Sequence, residues 1–216
     1  MASELKVDTI SEKTTASGVT IDGVLIKDGE VDGVDVSAIV SGSLVKLSSA
    51  TASNSAELLF DNFVDTSTYA YYQIIYENII PATSNAVFLM TFRQGGASGS
   101  DLNGTYYGMQ WASYGNAAIS GFDSNFSETN FGSLSDGLQN SAGRAITSTL
   151  NYYPSDGTNG ATHYNTHYQT RDNAGNIISR MRARYLDSTT AATGARFYMT
   201  SGNITSGSIY IYGVKK

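Results

Sequence analysis

Apolar and polar residues alternate along most of the chain, and this alternation predicts β-strands. In the segment 86–93, Ala86, Phe88, Met90 and Phe92 fall on one face of an extended strand. Segments of this kind are separated by short runs rich in Gly, Asn, Asp and Ser, which favour turns. No segment shows the period of a convincing amphipathic helix. The pattern therefore predicts an all-β protein built as an antiparallel sandwich.

The predicted strands follow one another from residue 43 to the C-terminus. They are 43–49, 57–63, 69–80, 86–93, 106–114, 117–122, 145–153, 163–171, 176–185, 195–200 and 208–214. The polar run 115–143 is long for a loop, and long loops often carry function, so it is a candidate ligand-contacting region. In the strand 176–185 we expect one face to point into the core and the other to point outward. The predicted inward residues are Ile177, Met181, Ala183 and Tyr185, and the outward ones are Ile178, Arg180, Arg182 and Arg184.

The first 42 residues have a different character from the rest. Residues 1–40 carry eight acidic and three basic side chains, so they hold −5 of the net charge of −6, and they lack aromatic residues. Short strands are predicted at 5–10 and 18–26, with Asp-Gly pairs as turn signals, and Gly23 is a candidate break within the second strand. We therefore divide the chain into an N-terminal arm, 1–42, and a C-terminal sandwich domain, 43–216.

The apolar side chains of such short hairpins cannot be covered by one copy of the arm. We expect them to be buried against other copies of the same chain. The predicted oligomerisation residues are Leu5, Val7, Ile10, Val19, Ile21, Val24 and Leu25.

Composition excludes several classes of function. The chain has 216 residues and no Cys, which rules out disulfides and thiolate chemistry. A sequence pI near 4.8 argues against nucleic-acid binding, which needs a concentrated basic surface. No apolar run has membrane-spanning length, and the N-terminus does not read as a secretory signal, so we expect neither membrane insertion nor the secretory route.

The opening segment ASELKVDTISEKTTASGVTIDGVLIKDGEV, residues 2–31, resembles a segment at the start of fibre-type structural proteins of tailed bacteriophages, particularly phages of marine bacteria and cyanobacteria. Three further segments resemble, more loosely, the distal domain of such fibres: LLFDNF at 58–63, YYQIIYENIIPAT at 71–83 and GNITSGSIYIYG at 202–213.

This resemblance implies an intertwined homotrimer whose arm attaches to other virion proteins, and a distal domain with the jelly-roll topology. It also implies a protein located in the virion after assembly in the host cytoplasm. The leading hypothesis is a tail fibre or tail-tip component that adheres to a host-surface polysaccharide. The alternatives are a capsid decoration or head fibre protein with a mainly structural role, and a free carbohydrate-binding module.

Aromatic and basic side chains are the candidates for ligand binding. Exposed Tyr and Trp rings stack on sugars, and a row of arginines attracts carboxylates, a neighbouring subunit or an anionic ligand. The alternative for each is an ordinary structural place in the core or on a solvated face. The candidate residues are Tyr106, Tyr107, Trp111, Tyr114, Arg180, Arg182 and Arg184.

No metal, cofactor or catalytic activity is expected. His163 and His167 share a strand face, but four residues of strand separate them by about 13 Å, too far for one metal. The segment 28–33 has the start of a calcium loop, yet the twelfth position holds Ile39 where a Glu is needed, so we interpret it as an acidic turn. No nucleophile elbow, phosphate loop or zinc-protease motif occurs.

Overall fold

Strands dominate the computed structural model, which describes residues 19–21, 24–27, 30–31, 34–35, 43–114, 122–155, 157, 161–171 and 176–216. Apart from strands, these ranges contain two short 3₁₀ turns, Gly96–Ser98 and Ala142–Arg144, and no α-helix. The chain divides into two compact units, Met1–Ser43 and Leu44–Lys216, and we describe each by itself.

The described residues of the first unit form four short strands that pair with their neighbours in chain order, all antiparallel. They are β1 (Val19–Ile21), β2 (Val24–Lys27), β3 (Glu30–Val31) and β4 (Val34–Asp35). Val19 pairs with Ile26, so the predicted split of segment 18–26 into two strands is confirmed.

Several expectations for the arm fall outside the described part of the chain. This applies to the strand predicted at 5–10, with Leu5, Val7 and Ile10, and to parts of the acidic segment 28–33. It applies also to the side chains of the remaining arm residues. Oligomerisation through Val19, Ile21, Val24 and Leu25 therefore stays a prediction.

In the second unit, the part of the chain that the structure describes forms thirteen strands. They are β5 (Leu44–Ser55), β6 (Glu57–Phe60), β7 (Tyr69–Pro81), β8 (Ala86–Gln94), β9 (Ser100–Asp101), β10 (Thr105–Tyr114), β11 (Phe122–Thr129), β12 (Gly132–Leu138), β13 (Ile146–Tyr153), β14 (His163–Arg171), β15 (Ile177–Leu186), β16 (Gly194–Met199) and β17 (Ile204–Lys215).

Eight of these strands have the order of a jelly roll. One sheet contains the run β5-β17-β7-β13, and the other contains β6-β16-β8-β12. Successive strands β5, β6, β7 and β8 alternate between the two sheets, and all pairs are antiparallel. The predicted all-β class and antiparallel sandwich are therefore confirmed, and the strand order is that of the jelly-roll topology.

Four further strands extend the larger sheet beyond β13. They add in the order β14, β15, β10 and β11, which makes this sheet eight strands wide, whereas the smaller sheet has five strands, including β9 paired with β8. The added strands come from two insertions in the jelly-roll order, one between β8 and β12 and one between β13 and β16. We call β14, β15, β10 and β11 the sheet extension.

The core between the two sheets is strongly aromatic. Phe92 of the smaller sheet stacks on Tyr152 and Tyr106 of the larger one, with ring centroids 5.2 and 5.4 Å apart. Tyr76 meets Phe88 edge to face at 5.5 Å. These rings are fully buried, and aromatic pairs of this kind contribute beyond the area that they bury.

The expectation of one long loop over 115–143 is wrong for most of that run. Residues Phe122–Thr129 form β11 and Gly132–Leu138 form β12, and η2 at Ala142–Arg144 leads into β13. The run is polar because β11 is an edge strand and because β12 packs over charged side chains described below. Residues 115–121 lie outside the described ranges.

Candidate binding face

The outward side of the sheet extension carries an exposed apolar surface. Of the eight large hydrophobic side chains that are exposed in the described residues, six project from β10 and β15. We call these six the outer patch: Tyr107, Met109, Trp111, Ile177, Met181 and Tyr185. Contiguous apolar surface of this kind on a folded domain marks a site of interaction.

The register of β10 and β15 explains why these side chains meet. Tyr107 pairs directly with Tyr185, and Trp111 pairs directly with Met181. Residues paired across an antiparallel sheet project on the same side, with Cβ atoms about 5 Å apart. The outer patch is therefore one surface, about two strands wide, with exposed fractions between 36% for Trp111 and 55% for Met181.

A row of stacked rings crosses the sheet at one end of the outer patch. Tyr107 stacks on Tyr185 with ring centroids 5.5 Å apart, and on the next strands His163 stacks on Tyr153 at 4.7 Å. Tyr153 also stacks on Tyr71 at 5.3 Å. Because these rings face one another, they present edges and hydroxyl groups to solvent and leave little open ring face for a sugar.

Trp111 belongs to the outer patch but lies outside this row of stacked rings. It lies opposite Met181, one row of outward residues away from Met109 and two from the stacked tyrosines. On the same side of the sheet, two and three strands away from Trp111, the amide of Asn165 accepts a hydrogen bond at Oδ1 from Nδ2 of Asn151 at 3.2 Å. An exposed indole on a face that also carries amides has the apolar and hydrogen-bonding groups that a sugar ring uses.

Two of the three predicted tyrosines of β10 have opposite surroundings. Tyr107 is 37% exposed, whereas Tyr106 is fully buried and accepts a hydrogen bond from the backbone N–H of Phe92 at 3.0 Å. Burial raises the pKa of the Tyr106 hydroxyl well above its ordinary value. The expectation that Tyr106 contacts a ligand is therefore wrong, because its ring fills the core. Tyr114 ends β10, and its side chain lies outside the described part of the structure.

The predicted faces of β15 are wrong, because the arginines point inward. Arg182 and Arg184 are 4% and 2% exposed, and Ile178 is buried with them, whereas Ile177, Met181 and Tyr185 are exposed. The expectation that Arg180, Arg182 and Arg184 form an outward anionic-ligand site is therefore corrected. Carboxylates were one of the three kinds of partner expected for these arginines, and the structure shows that the arginines contact carboxylates.

Asp136 of β12 neutralises two of these arginines inside the sandwich. Its Oδ1 lies 2.6 Å from Nη2 of Arg182, and its Oδ2 lies 2.6 Å from Nε of Arg180. Arg182 also donates 2.8 Å hydrogen bonds to Oγ of Ser133 and to the carbonyl of Ser135. Buried charge is tolerated when it is paired and hydrogen-bonded in this way.

Arg184 is held by a second carboxylate, from the edge strand β11, which lies beyond β10. Its Nε lies 3.5 Å from Oε2 of Glu128, and its Nη1 donates to the carbonyl of Met109 at 2.9 Å. Glu128 also accepts a 2.8 Å hydrogen bond from the N–H of Ser133. We call Arg180, Arg182, Arg184, Asp136 and Glu128 the ionic layer; it joins the sheet extension to β12, and so fixes the strands that carry the outer patch.

The two histidines of β14 and the carboxylate of Asp61 have no arrangement that points to metal binding. His163 and His167 are exposed on the same side of β14, as expected, and His167 lies 2.9 Å from Oγ of Ser179. Asp61 receives a 2.6 Å hydrogen bond from Nε of Arg93. The described residues contain no group of three or more His, Asp or Glu side chains placed to hold a metal ion.

Comparison of the chain with family models, curated proteins and solved structures finds no match. Within the described ranges, no helix has the length and apolar character needed to cross a membrane.

Sequence reasoning found part of the outer patch and missed part of it. Trp111 and Tyr107 were predicted from their residue type, whereas Tyr185 and Met181 were assigned to the core and Met109 was not considered. The acidic residues Asp136 and Glu128 are the signal that could have corrected this assignment, because an inward arginine needs an inward carboxylate.

Proposed function

We propose that the chain is a structural protein of a tailed-bacteriophage virion, a homotrimeric tail fibre or tail-tip component. In this proposal the arm, residues 1–42, joins the trimer to other virion proteins. The sandwich domain adheres to a polysaccharide on the host surface through the outer patch. The virion context is supported by the resemblance of residues 2–31, and the adhesive role is supported by the exposed face of the sheet extension.

The observation that carries adhesion is the placement of the exposed rings. A jelly roll is complete with eight strands, yet here two insertions add four more, and these added strands bear the exposed indole of Trp111 together with the edges and hydroxyl groups of Tyr107 and Tyr185. Function resides in sites added to a scaffold more often than in the scaffold itself. The sheet extension is rigidly paired and anchored by the ionic layer, so it presents these rings without a large ordering cost.

Binding of the full chain to host cells and to an array of bacterial surface glycans tests this proposal. We expect Trp111→Ala to weaken glycan binding at least tenfold while the far-ultraviolet circular dichroism spectrum stays unchanged. Leu59→Ala is the matched control, because Leu59 is 45% exposed but projects from the smaller sheet. Equal binding by the two variants and the unchanged protein contradicts adhesion through the outer patch.

The outer patch also favours a second candidate, a capsid decoration or head fibre protein with a structural role. Met109, Met181 and Ile177 are exposed, uncharged apolar side chains on this face, and such side chains suit contacts between proteins. Under this alternative the outer patch is buried in the particle. A cryo-electron microscopy map of the virion distinguishes the two by locating the protein on the tail or on the capsid.

A further inference from the structure

A polar cleft lies at the end of the sheet extension, close to the outer patch. It has a volume of about 240 Å³ and opens where the η2 turn meets the end of β14 and the start of β15. This is smaller than the ~300–1,000 Å³ of pockets for drug-sized ligands, so it suits a single sugar unit of a longer chain.

Two guanidinium groups belong to the residues that line this cleft. Arg144 forms one side, and Arg171, the last residue of β14, forms the other. No acidic residue lines the cleft within the described ranges. The described residues contain no carboxylate paired with the exposed Arg171, in contrast to the arginines of the ionic layer. The charge of Arg171 therefore favours an anion at its side of the cleft.

The remaining lining adds the groups that a sugar needs. Gln169 is exposed and offers an amide, and the half-exposed side chain of Ile177 provides an apolar surface. Ile177 pairs with Arg171 across the two strands and belongs to the outer patch. Four residues of β15 separate it from Met181, the direct partner of Trp111, a span of about 13 Å.

We infer that this cleft is an anionic subsite that binds the carboxylate of an acidic sugar, such as a uronic acid, in a polysaccharide lying along β15. The planar guanidinium group matches a carboxylate with two parallel hydrogen bonds. The polysaccharide then contacts Ile177 and Met181 on its way to Trp111. The inference rests on the proposed adhesion through the outer patch and names the class of glycan that this patch serves.

Saturation-transfer NMR of the full chain with free glucuronate tests the subsite, with glucose as the neutral probe. We expect glucuronate to bind saturably and glucose not to bind at the cleft. Arg171→Gln should weaken glucuronate binding about tenfold, and Arg171→Lys should restore part of it. Lys216→Gln is the matched control, because it removes the same charge from the exposed residue at the opposite end of the sheet.

The outcomes separate this inference from the proposed function. Glucuronate binding that is absent, that survives Arg171→Gln, or that is displaced equally by chloride and sulfate at the same ionic strength overturns the subsite. Glycan binding that Trp111→Ala removes but Arg171→Gln leaves unchanged overturns the subsite alone. Glucuronate binding at Arg171 without adhesion to any host cell or glycan overturns adhesion and keeps the subsite as an anion-binding cleft.

Discussion

Arg182 crosses the interior of the sandwich and pairs with Asp136, with 2.6 Å between Nη2 and Oδ1. The arginine belongs to the larger sheet and the aspartate to the smaller one, so this contact joins the two sheets. Because Arg182 lies on β15, the second strand of the sheet extension, the contact also holds the extension against the smaller sheet. At this point an ion pair joins the two sheets, whereas hydrophobic side chains join them elsewhere in the core.

Removing the charge of Asp136 should destabilise the domain strongly. In Asp136→Asn the shape is kept, but Arg182 and Arg180 lose their carboxylate in a buried setting. We expect the free energy of unfolding to fall by about 3 kcal/mol, measured by urea denaturation. The control is Glu57→Gln, which removes the surface partner of Arg196 at 3.6 Å and should change stability by about 0.5 kcal/mol or less. Similar losses in both variants would show that the ionic layer contributes no more than a surface pair.

A side chain at Gly108 should disrupt the contact between β10 and β15. A Cβ atom there overlaps the carbonyl oxygen of Ala183 and comes within 2.8 Å of Cδ of Arg184. We expect Gly108→Ala to lower the free energy of unfolding by about 3 kcal/mol, because both neighbours must move.

The matched control for this substitution is Gly143→Ala. A Cβ at Gly143 meets no atom within 4 Å, so its effect should stay within about 0.5 kcal/mol. The measurement is thermal unfolding of both variants under the same conditions, which compares their stabilities directly. A Gly108→Ala protein as stable as Gly143→Ala contradicts the close approach of β10 to β15.

The aromatic core should make the domain sensitive to alkali. Burial raises the pKa of Tyr72 to about 12, and burial also raises the pKa of Tyr152 well above its ordinary value. Because the pKa is higher in the folded state, the stabilisation is complete below the unfolded value of about 10 and is lost as pH rises through the folded values. We expect the urea midpoint to fall steadily from about pH 10 upward.

Tyr152→Phe provides the control for this dependence. The Tyr152 hydroxyl is buried and makes no hydrogen bond within the described residues, so its removal should leave stability near neutral pH unchanged or slightly higher. The same variant should lose less stability between about pH 10 and 12 than the unchanged protein. A midpoint that does not vary with pH in either protein would contradict the burial of these hydroxyl groups.

The arm is expected to assemble the trimer, whereas the sandwich should fold without it. A chain that starts at residue 43 keeps the unit Leu44–Lys216 with its own hydrophobic core. We expect this truncated chain to be a monomer in mass photometry or native mass spectrometry and to retain a cooperative unfolding transition. A trimer of the truncated chain would instead place the assembly contacts in the sandwich, with the outer patch as the first candidate.

Strand content was predictable because alternation is local. In β8, the residues Ala86, Phe88, Met90 and Phe92 occupy one face from sequence spacing alone, and all four are buried. Trp111 was a candidate for ligand binding by residue type, and the structure places it on an exposed face. The faces of β15 were not, because this strand carries apolar residues on one side and arginines on the other, and the usual preference of charge for solvent selected the wrong side.

The sequence by itself determined an all-β sandwich with an acidic, separate N-terminal arm, since side-chain alternation, turn residues and charge distribution act within a few positions. Only the tertiary structure decided which face of β15 is buried. The carboxylate that neutralises Arg182 lies 46 residues away in the chain, at Asp136. A buried arginine is stable when such a partner and its hydrogen bonds are present. Because the arginine and its carboxylate lie on two different strands, the sequence of either strand alone does not predict the pair. Once the arginines of β15 point inward, its apolar side chains point outward and form part of the outer patch.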